Sequence, residues 1–337
     1  FNRTKIQMSV KYKKATIDIL LKAQKNPLNF IKNNDQMKLI NKLVTLDHIT
    51  LIEKIIKQSI NKPHLIGFHG QTIFHSFKDK TSIQIGDPQL LSNITKLPVI
   101  SKFRQKDIEN GGHGAPLSPV YHMALAKEMK LLTPIVLINI GGVSNLTYYD
   151  NKNLIGFDTG PGNGLMDFFV QEKLKKPFDT NGELASKGKV DFKTLSKLKS
   201  DDYFKNSFPK SLDKLHFLEK VNKCFTKSEA IQDILATLLE FTALTISSSL
   251  HLLPKKPNNI ILCGGGQFNS QLVKKLREYI RTKIFLSNDL NLHGQYIEAE
   301  LFAYLAARSY NNLTITFPST TGVNKPMTGG VTFFPNN

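Results

Sequence analysis

Cysteine is scarce in this 337-residue sequence, which contains only Cys224 and Cys263. Two isolated cysteines form neither a disulfide framework nor a CxxC metal motif, so both kinds of cysteine-rich protein are excluded. No apolar run approaches the roughly 20 residues that a membrane helix needs, and the first residues show no signal-peptide pattern. We therefore expect a cytoplasmic protein with no membrane partner.

Acidic residues are outnumbered, since 45 lysines and arginines stand against 27 aspartates and glutamates, a formal net charge of +18. Such a charge suits attraction to a polyanion, or to ATP and an acidic sugar. The basic residues are spread along the chain, however, and aromatic residues do not alternate with them to form a base-stacking surface. We favour lysines on solvated faces and no nucleic-acid partner; salt-sensitive nucleic-acid binding is the competing hypothesis that charge alone suggests.

Glycine, in contrast, follows an apolar run at three places. The three turns lie within residues 138–145, 156–163 and 260–266. Glycine permits positive φ and lets backbone N–H groups approach a bound group closely, and a strand followed by Gly-Gly can build a phosphate-binding concavity. The three turns together therefore predict a nucleotide-handling enzyme.

Alternating apolar periodicities predict strands and helices in an α/β chain, and its length favours two domains. The predicted strands are 5–12, 64–68, 82–86, 98–101, 135–140, 146–149, 154–157 and 259–262, with a short one from Phe285. The predicted helices are 15–25, 35–58, 164–173, 228–253, 269–282 and 296–308. Asp47 and His48 interrupt the apolar stripe of the second helix, so two shorter helices are an alternative.

Polar side chains close two of the early strands, where α/β folds place their ligand crevices. His69 and Gln71 follow one strand and Asp87 follows another. His69 is equally compatible with an ordinary loop histidine. Asp87 precedes Pro88, so a helix cap and a ligand contact are both open.

Two further charged positions have comparable alternatives. Arg104 precedes a glycine-rich loop, and its planar fork suits a carboxylate or phosphate, but a surface ion pair with Asp107 or Glu109 explains it equally well. Glu298 and Glu300 are two positions apart on a predicted helix and do not share a face, so at most one of them points into a site.

Asp158 lies between an apolar strand and the run Gly160-Pro161-Gly162-Asn163. A carboxylate at this place can accept a proton, or hold a metal-bound water, within reach of a phosphate held by glycine backbone. The alternative is an aspartate that only stabilises the turn. Cys263 is interpreted as a buried thiol at a strand end, because no histidine lies near it in sequence.

Taken together, these motifs resemble the anhydro-N-acetylmuramic acid kinases, a family of the actin and hexokinase-like ATPase superfamily. The matching segments follow the family order along nearly the whole chain. They are 67–72 with His75, 84–88, 103–107 with 111–116, 139–145, 156–163, 181–182 with 188–190, 263–266 with Asn269, 298–299 with 302–303, and 321–322.

The resemblance implies an α/β, two-domain actin-like ATPase (ribonuclease H-like) fold with ATP in an interdomain cleft. It implies an N-terminal-type domain of residues 1–132 plus 310–337 and a C-terminal-type domain of residues 133–309. The implied activity is that of a phosphotransferase with an alcohol group as acceptor. It opens 1,6-anhydro-N-acetylmuramic acid with water and phosphorylates O6 from ATP, giving N-acetylmuramic acid 6-phosphate in peptidoglycan recycling. Mg²⁺ would bridge ATP oxygens, and the family suggests a homodimer.

The family pattern also implies residue roles. Asp158 would be the general base that activates water. The amino sugar would contact His69, Gln71, Asp87 and Arg104, with Glu298 as a further contact. ATP would contact a set of asparagines and glycines, of which those in 139–145 approach the phosphates and those in 264–266 the adenosine. This ATP set is Asn139, Gly141, Gly142, Asn145, Gly160, Gly162, Asn163, Gly264, Gly265 and Gly266. No residue is assigned as a metal ligand.

One family motif does not occur in the sequence. The family begins with a strand and a Met-Ser-Gly-Thr-Ser-x-Asp-Gly-like turn, the first phosphate loop, whereas this sequence starts at Phe1 and its Met8-Ser9 is followed by Val10. We therefore expect an N-terminal-type domain without its opening strands and a γ-phosphate with fewer backbone donors. A non-catalytic sugar-binding remnant or fragment is the alternative to an active kinase.

Overall fold

The computed structural model of the chain describes residues 6–76, 79–213, 216–225, 228–292, 294 and 296–336. The α-helices are α1 (Lys14–Lys25), α2 (Pro27–Phe30), α3 (Asn34–Gln58), α4 (Pro88–Thr95), α5 (Gln105–Glu109), α6 (Pro119–Glu128), α7 (Gly164–Leu174), α8 (Phe192–Lys199), α9 (His216–Cys224), α10 (Ile231–Ser249), α11 (Ser270–Tyr279), α12 (Ile297–Tyr310) and α13 (Pro318–Thr321). The strands are β1 (Ile66–Gly67), β2 (Gln71–Ser76), β3 (Thr81–Ile85), β4 (Val99–Ser101), β5 (Ile135–Ile140), β6 (Val143–Tyr149), β7 (Leu154–Pro161), β8 (Asn259–Cys263), β9 (Lys283–Leu286) and β10 (Val331–Phe333). Short 3-10 helices cover Thr180–Gly182, Ala185–Lys187, Asp202–Lys205, Leu250–Leu252, Gly265–Phe268 and Ser287–Leu290.

The chain divides into two compact units. Unit 1 comprises Phe1–Leu117, Glu298–Pro318 and Gly322–Asn337, and unit 2 comprises Ser118–Ile297 and Ser319–Thr321. The units therefore change over at 117/118 and 297/298, so that α6 belongs to unit 2 and α12, apart from its first residue Ile297, to unit 1. The domain division expected from the sequence, at 132/133 and 309/310, stays a prediction.

In unit 1, α1 and α3 occupy the stretches that apolar periodicity predicted to be helical. α3 runs without a break through Asp47 and His48, so the alternative of two shorter helices is wrong. Asp47 is buried in the stripe because its Oδ2 accepts hydrogen bonds from Thr16 Oγ1 at 2.8 Å and from Lys13 N at 3.1 Å. The Asp47 carboxylate, which interrupts the apolar pattern, thus connects the start of α1 to the middle of α3 by hydrogen bonds.

The strands of unit 1 form a small sheet and a hairpin. β4 is the central strand of the sheet, parallel to β1 and antiparallel to β10, while β2 and β3 pair as an antiparallel hairpin. The predicted strand over 5–12 is wrong, since its described residues, 6–12, are not in a strand and Val10 is 43% exposed. Residues 71–76, which form β2, were not anticipated as a strand.

Unit 2 is built on a five-stranded sheet of order β7-β6-β5-β8-β9. Numbered along the unit, this order is 3-2-1-4-5. The second strand, β6, is antiparallel to both neighbours, and β5, β8 and β9 are mutually parallel. This is the ribonuclease H-like arrangement, and it confirms the predicted α/β class. The predicted strands 135–140, 146–149 and 259–262 lie within β5, β6 and β8.

Helix α10 is the central helix of unit 2, packing on α7, α8, α11 and β7. With the 3-10 turn that follows it, the stretch Ile231–Leu252 is the one part of the described chain whose length and apolar composition would suffice to cross a membrane. Of its apolar window, 72% is buried inside the protein. Such burial is typical of a core helix.

Candidate functional site

Two of the glycine turns, Gly141-Gly142 and Gly162-Asn163, meet at one end of the unit 2 sheet, which we call the glycine edge. The turn between β5 and β6 offers the carbonyls of Gly141 and Gly142, which accept backbone hydrogen bonds from Asn163 at 2.7 Å and from Gly162 at 3.0 Å. Helix α7 begins directly after these donors, at Gly164. A helix N-terminus carries partial positive charge and free N–H groups, so this edge is suited to an anion.

The glycines of these turns fall into two groups. A Cβ added at Gly162, Gly264 or Gly266 would lie 2.2–2.5 Å from a protein atom, so packing alone requires glycine there. At Gly141, Gly142 and Gly265 the nearest protein atom would be 3.6 Å or more away, and none of the three has a positive φ. Neither packing nor backbone conformation requires glycine at these positions, which leaves close approach of a ligand as a physical reason. Gly142 and Gly265 are exposed.

Two asparagines of the predicted ATP set lie beside these glycines, and a third, Asn145, pairs with Asn139 across β5 and β6. Asn139 Oδ1 would be 2.5 Å from a Cβ at Gly264, and Asn163 Nδ2 would be 3.7 Å from one at Gly265. Asn145 Oδ1 accepts a hydrogen bond from Ser118 Oγ at 3.5 Å. The buried Oδ1 of Asn163 has no hydrogen-bond partner among the described residues, and such an atom is costly unless something else binds it.

Gly160, also predicted to contact ATP, is placed differently. It is buried in β7, and a Cβ there would lie 2.9 Å from Thr245 Oγ1 of α10 and 3.3 Å from Phe204. Packing against α10 therefore explains this glycine without a ligand.

Asp158 lies inside a strand. β7 was predicted to end at Phe157, but it continues to Pro161, pairing with β6 through a bulge between Ser144 and Asn145. Asp158 is opposite Asn145 in this ladder and is only 8% exposed. The alternative of a turn-stabilising aspartate is therefore wrong, because the residue is part of a paired strand.

Sequence reasoning missed the segment that surrounds Asp158. Leu212 N donates to Asp158 Oδ2 at 2.8 Å, and the Tyr203 hydroxyl donates to the Asp158 carbonyl at 2.5 Å. The buried Lys210 is within electrostatic range, since the Asp158 charge raises the pKa of its ammonium while burial, the larger effect, lowers it. The run Phe208-Pro209-Lys210-Ser211 is typical of an ordinary loop, and only the tertiary structure shows that it lies beside Asp158.

A second carboxyl near the glycine turns was also missed. Asp167 lies in the first turn of α7, where its backbone N–H donates to the Asn163 carbonyl at 2.9 Å. Burial raises the pKa of Asp167 to about 6. A carboxyl with a raised pKa at this edge is a candidate functional group.

Cys263 is the last residue of β8 and is 1% exposed. Burial raises the pKa of its thiol to about 12. A thiol that stays protonated at neutral pH is not a nucleophile, so the interpretation as a buried structural cysteine is confirmed.

In unit 1 the structure brings His69 and Arg104 into direct contact. Arg104 Nε donates to His69 Nε2 at 3.1 Å, and Arg104 Nη1 donates to the Gly114 carbonyl at 2.7 Å. Because Nε2 accepts a proton donor, His69 Nδ1 carries the hydrogen and donates to the Gly70 carbonyl at 3.0 Å. Burial and the Arg104 charge lower the pKa of His69 to about 3. His69 is therefore a neutral imidazole of one tautomer at neutral pH.

The His69 ring packs against helix α12. The Phe302 ring stacks on the His69 ring with centroids 4.1 Å apart. Glu298 is exposed and lies four residues before Phe302, so both occupy the same face of α12. The neighbouring carboxylate, Glu300, accepts a hydrogen bond from Gln7 Nε2 at 3.0 Å.

Asp87 caps a helix, and Gln71 begins a strand. Asp87 is the N-cap of α4, where Oδ1 accepts a hydrogen bond from Leu90 N at 2.9 Å. The alternative that Asp87 is a helix cap is therefore confirmed for its Oδ1 atom. Gln71 opens β2 and pairs in register with Ile85 of β3.

A cavity of about 430 Å³ lies within unit 1 beside the β2–β3 hairpin. His69 is part of its lining, together with Gln84, Lys80 and Lys102, whereas Gln71, Asp87, Arg104 and Glu298 are not. The lining mixes amide, imidazole and ammonium groups with the carboxylate of Glu109, which suits a polar ligand.

Buried neutral histidines predict that the folded protein loses stability in acid. His122 of unit 2 is 1% exposed, with Nδ1 2.8 Å from Thr147 Oγ1, and burial lowers its pKa to about 4. Because an unfolded histidine titrates near pH 6.5, the stability that His122 contributes is present above that pH and is lost as the pH falls towards 4. At pH 5 we expect a loss of about 2 kcal/mol in the free energy of unfolding from this residue alone.

Urea unfolding of the wild type and of His122→Gln at pH 7 and pH 5 measures this effect. The variant should lose less stability between the two pH values than the wild type does. If both proteins lost the same free energy of unfolding between pH 7 and pH 5, His122 would not be the cause of the acid sensitivity.

No group of three or more His, Cys, Asp or Glu side chains suited to a metal ion occurs within the described residues. Mg²⁺ commonly binds through one or two carboxylates and substrate phosphates instead of a cage made by the protein alone. The side-chain oxygens near the glycine turns, from Asn139 and Asn163, are of the kind that can bind an ion brought by a nucleotide. The protein by itself presents no preformed metal cage in the part that is described.

Comparison with known proteins identifies a family. The sequence pattern of the anhydro-N-acetylmuramic acid kinase family matches residues 12–335. The enzyme of this name from Methylobacterium nodulans is 39% identical over 296 residues, covering 87% of this chain and 78% of the relative. The one from Rhodopseudomonas palustris (strain CGA009) is 41% identical over 293 residues, covering 86% of this chain and 79% of the relative.

Similarity to solved structures is weaker. The xylulose kinase of Rhodospirillum rubrum is 14% identical with a TM-score of 0.35, covering 65% of this chain and 45% of that one.

Proposed function

The chain belongs to the family of anhydro-N-acetylmuramic acid kinases, whose members are phosphotransferases, and from this premise we propose the reaction that the chain catalyses. It opens the 1,6-anhydro ring of anhydro-N-acetylmuramic acid with water and transfers the γ-phosphoryl group of ATP to O6. The product is N-acetylmuramic acid 6-phosphate, formed with ADP. The observation that carries the proposal is a buried carboxylate, Asp158, in a strand that ends at the glycine edge of unit 2.

The first step is hydrolysis of an acetal. Asp158 accepts a proton from water while the water oxygen bonds to the anomeric carbon, and the bond between that carbon and O6 breaks. The electron pair of the broken bond stays on O6, which then attacks the γ-phosphorus and displaces ADP. Ring opening thus creates the acceptor for phosphoryl transfer, so one site serves both steps.

The glycine edge supports the role in ATP binding. Gly141, Gly142 and Gly265 leave open space above the backbone, where phosphate oxygens can approach N–H groups. Asn163 Oδ1, for which the described part of the chain offers no hydrogen-bond partner, lies at the same place. Mg²⁺ on the nucleotide would supply charge neutralisation during transfer, with the side-chain oxygen of Asn139 as a nearby oxygen donor.

The sugar side is proposed to include the His69–Arg104 pair, Gln71, Asp87 and Glu298. Fixing a neutral His69 between Gly70 and Arg104 gives a rigid imidazole next to the cavity of unit 1. A rigid, preorganised group loses little entropy when it binds a ligand.

The cellular setting is part of the same proposal. We place the activity in the cytoplasm, in recycling of the sugar of peptidoglycan, by a homodimer without nucleic-acid or membrane partners. The net charge of +18 favours anionic small molecules, and both ATP and a sugar that carries a lactyl carboxylate are anionic.

Turnover of the 337-residue chain tests the proposed function. With ATP, Mg²⁺ and anhydro-N-acetylmuramic acid we expect ADP formation that depends on the sugar, with a glucose control giving none. Calorimetry with the sugar alone gives its affinity in parallel. Sugar binding without ADP formation would contradict the proposal and favour the non-catalytic remnant.

A further inference from the structure

Gln267 is a buried amide residue directly after the third glycine turn, and it is only 3% exposed. Its backbone N–H and its side-chain Nε2 both donate to the Gly264 carbonyl, at 3.4 Å and 3.2 Å. Its Oε1 accepts a hydrogen bond from Ser287 Oγ at 2.9 Å. A buried amide is costly unless both of its ends are paired. Here a carbonyl pairs one end and a hydroxyl pairs the other.

The two partners of Gln267 follow neighbouring strands of the unit 2 sheet. Gly264 comes directly after β8 and Ser287 directly after β9, and these two strands are parallel. Ligands of open α/β sheets bind beyond the carboxyl ends of the strands. The Gln267 side chain therefore connects two loops, 264–268 and 287–292, at the end of the sheet where a ligand is expected.

Gly294, just beyond the second loop, packs on the same hydrogen bonds. A Cβ added there would lie 2.2 Å from Gln267 Nε2 and 2.8 Å from Ser287 Oγ. Gly294 N also donates to Asn288 Oδ1 at 3.3 Å, which keeps this glycine close to the loop. An apolar side chain at position 267 would fill the space without needing the hydroxyl of Ser287. The chain thus places a hydroxyl and a glycine around one amide, an arrangement typical of a fully paired buried polar group.

The third glycine turn is also held from its other side, by the end of β5. A Cβ at Gly264 would lie 2.7 Å from the Ile140 carbonyl oxygen, and one at Gly266 would lie 2.3 Å from Ile140 Cγ2. Gly264 has a φ of +76°, which favours glycine. The exposed Gly265 therefore lies between two residues that packing fixes, in a turn held by β5 on one side and by Gln267 on the other.

We propose that Gln267 is a positioning residue for the adenosine side of the nucleotide site, where its amide holds the turn 264–266 and the loop 287–292 in one arrangement. The inference rests on the proposed function, in which this turn approaches the adenosine. In this role Gln267 itself contacts neither ATP nor the sugar. A turn that is already ordered loses less entropy when it binds a ligand. Loss of the amide should therefore weaken nucleotide binding and leave the chemical step unchanged.

Gln267→Met tests this role, because methionine has a similar length and forms neither side-chain hydrogen bond. We expect the KM and the Kd of ATP to rise about tenfold, the equivalent of about 1.4 kcal/mol. The kcat and the KM of the anhydro sugar should stay within about twofold of the wild type. A folded Gln267→Met with the wild-type KM for ATP would overturn the proposal.

Val221→Ala is the stability control for this variant. Val221 is a buried residue of α9 in the core of unit 2, so its truncation destabilises the unit by removing apolar atoms and leaves both loops unchanged. It should lower the free energy of unfolding and keep the wild-type KM for ATP. An equal rise in KM in both variants would show that lost stability is the cause, and would overturn the positioning role.

Hydrogen exchange and calorimetry decide the matter without turnover. In Gln267→Met without ligand, the amides of 264–268 and 287–292 should exchange faster than in the wild type, while those of the Gly141-Gly142 turn should not change. Unchanged exchange in both loops would overturn the inference even in an active enzyme.

The same measurements separate this inference from the proposed function. A wild type that is inactive on the sugar, but whose affinity for ATP falls in Gln267→Met, would refute the proposed function and leave the positioning role standing. A wild type that binds no ATP would refute both. If circular dichroism shows that Gln267→Met is unfolded, Ser287→Ala replaces it with the same outcomes, because it removes only the hydrogen bond to Gln267 Oε1.

Discussion

Replacing Asp158 with asparagine is expected to lower kcat by about 10² to 10⁴. Asparagine keeps the size of the side chain and can still accept the hydrogen bond of Leu212 N, so the geometry of β7 is preserved. What is lost is the ability to take a proton from water. ATP binding should be nearly unaffected, because the glycine edge is unchanged.

The matched control for this variant is Asp202→Asn. Asp202 lies in the same surrounding segment, but its side chain is 89% exposed and pairs with Lys205. Its replacement should leave kcat and stability close to the wild type. Steady-state kinetics, calorimetry with a nucleotide analogue and thermal unfolding of all three proteins make the comparison. Wild-type kcat in Asp158→Asn would remove this residue as the base.

Glycine substitutions at the edge of unit 2 should separate nucleotide binding from folding. A methyl group at Gly142 would meet no protein atom nearer than 4.0 Å, so Gly142→Ala should be within about 1 kcal/mol of wild-type stability. The same methyl would occupy space next to the backbone N–H groups that we propose bind phosphate. We therefore expect the Kd for ATP to rise about tenfold or more, a change of at least about 1.4 kcal/mol.

Gly162→Ala provides the contrast. Its Cβ would lie 2.2 Å from the Gly141 carbonyl oxygen, so the two turns must move apart. We expect a loss of about 1–3 kcal/mol in the free energy of unfolding from overpacking. Urea unfolding and calorimetry on both variants test the pair. Wild-type ATP affinity in Gly142→Ala would show that this glycine does not face the nucleotide.

Local patterns were sufficient where the structure follows chain periodicity. The apolar stripes of α1 and α3 and the apolar runs of β5 and β8 were predictable because each buries one face or one short run in a core. The alternation over 5–12 misled, since alternation without a partner strand does not make a sheet. Strand pairing is decided by distant residues, which a local pattern does not contain.

The same limit explains the two largest surprises at the site. Gly160 and Pro161 are typical of a turn, yet they extend β7 because β6 is available to pair with them. Lys210 lies 52 positions after Asp158 in the sequence. The glycine motifs could be read directly, because their chemistry resides in consecutive residues. The surroundings of Asp158 could not, since they are assembled by folding.

We propose that one chain couples ring opening to phosphoryl transfer. The most direct measurement is NMR of the product formed from anhydro-N-acetylmuramic acid, ATP and Mg²⁺, using ³¹P for the phosphate and ¹³C for the anomeric carbon. We predict a 6-phosphomonoester and a free reducing end in equal amounts, each equal to the ADP released. ADP release with the anhydro ring intact, or a free reducing end without phosphate on O6, would contradict the account.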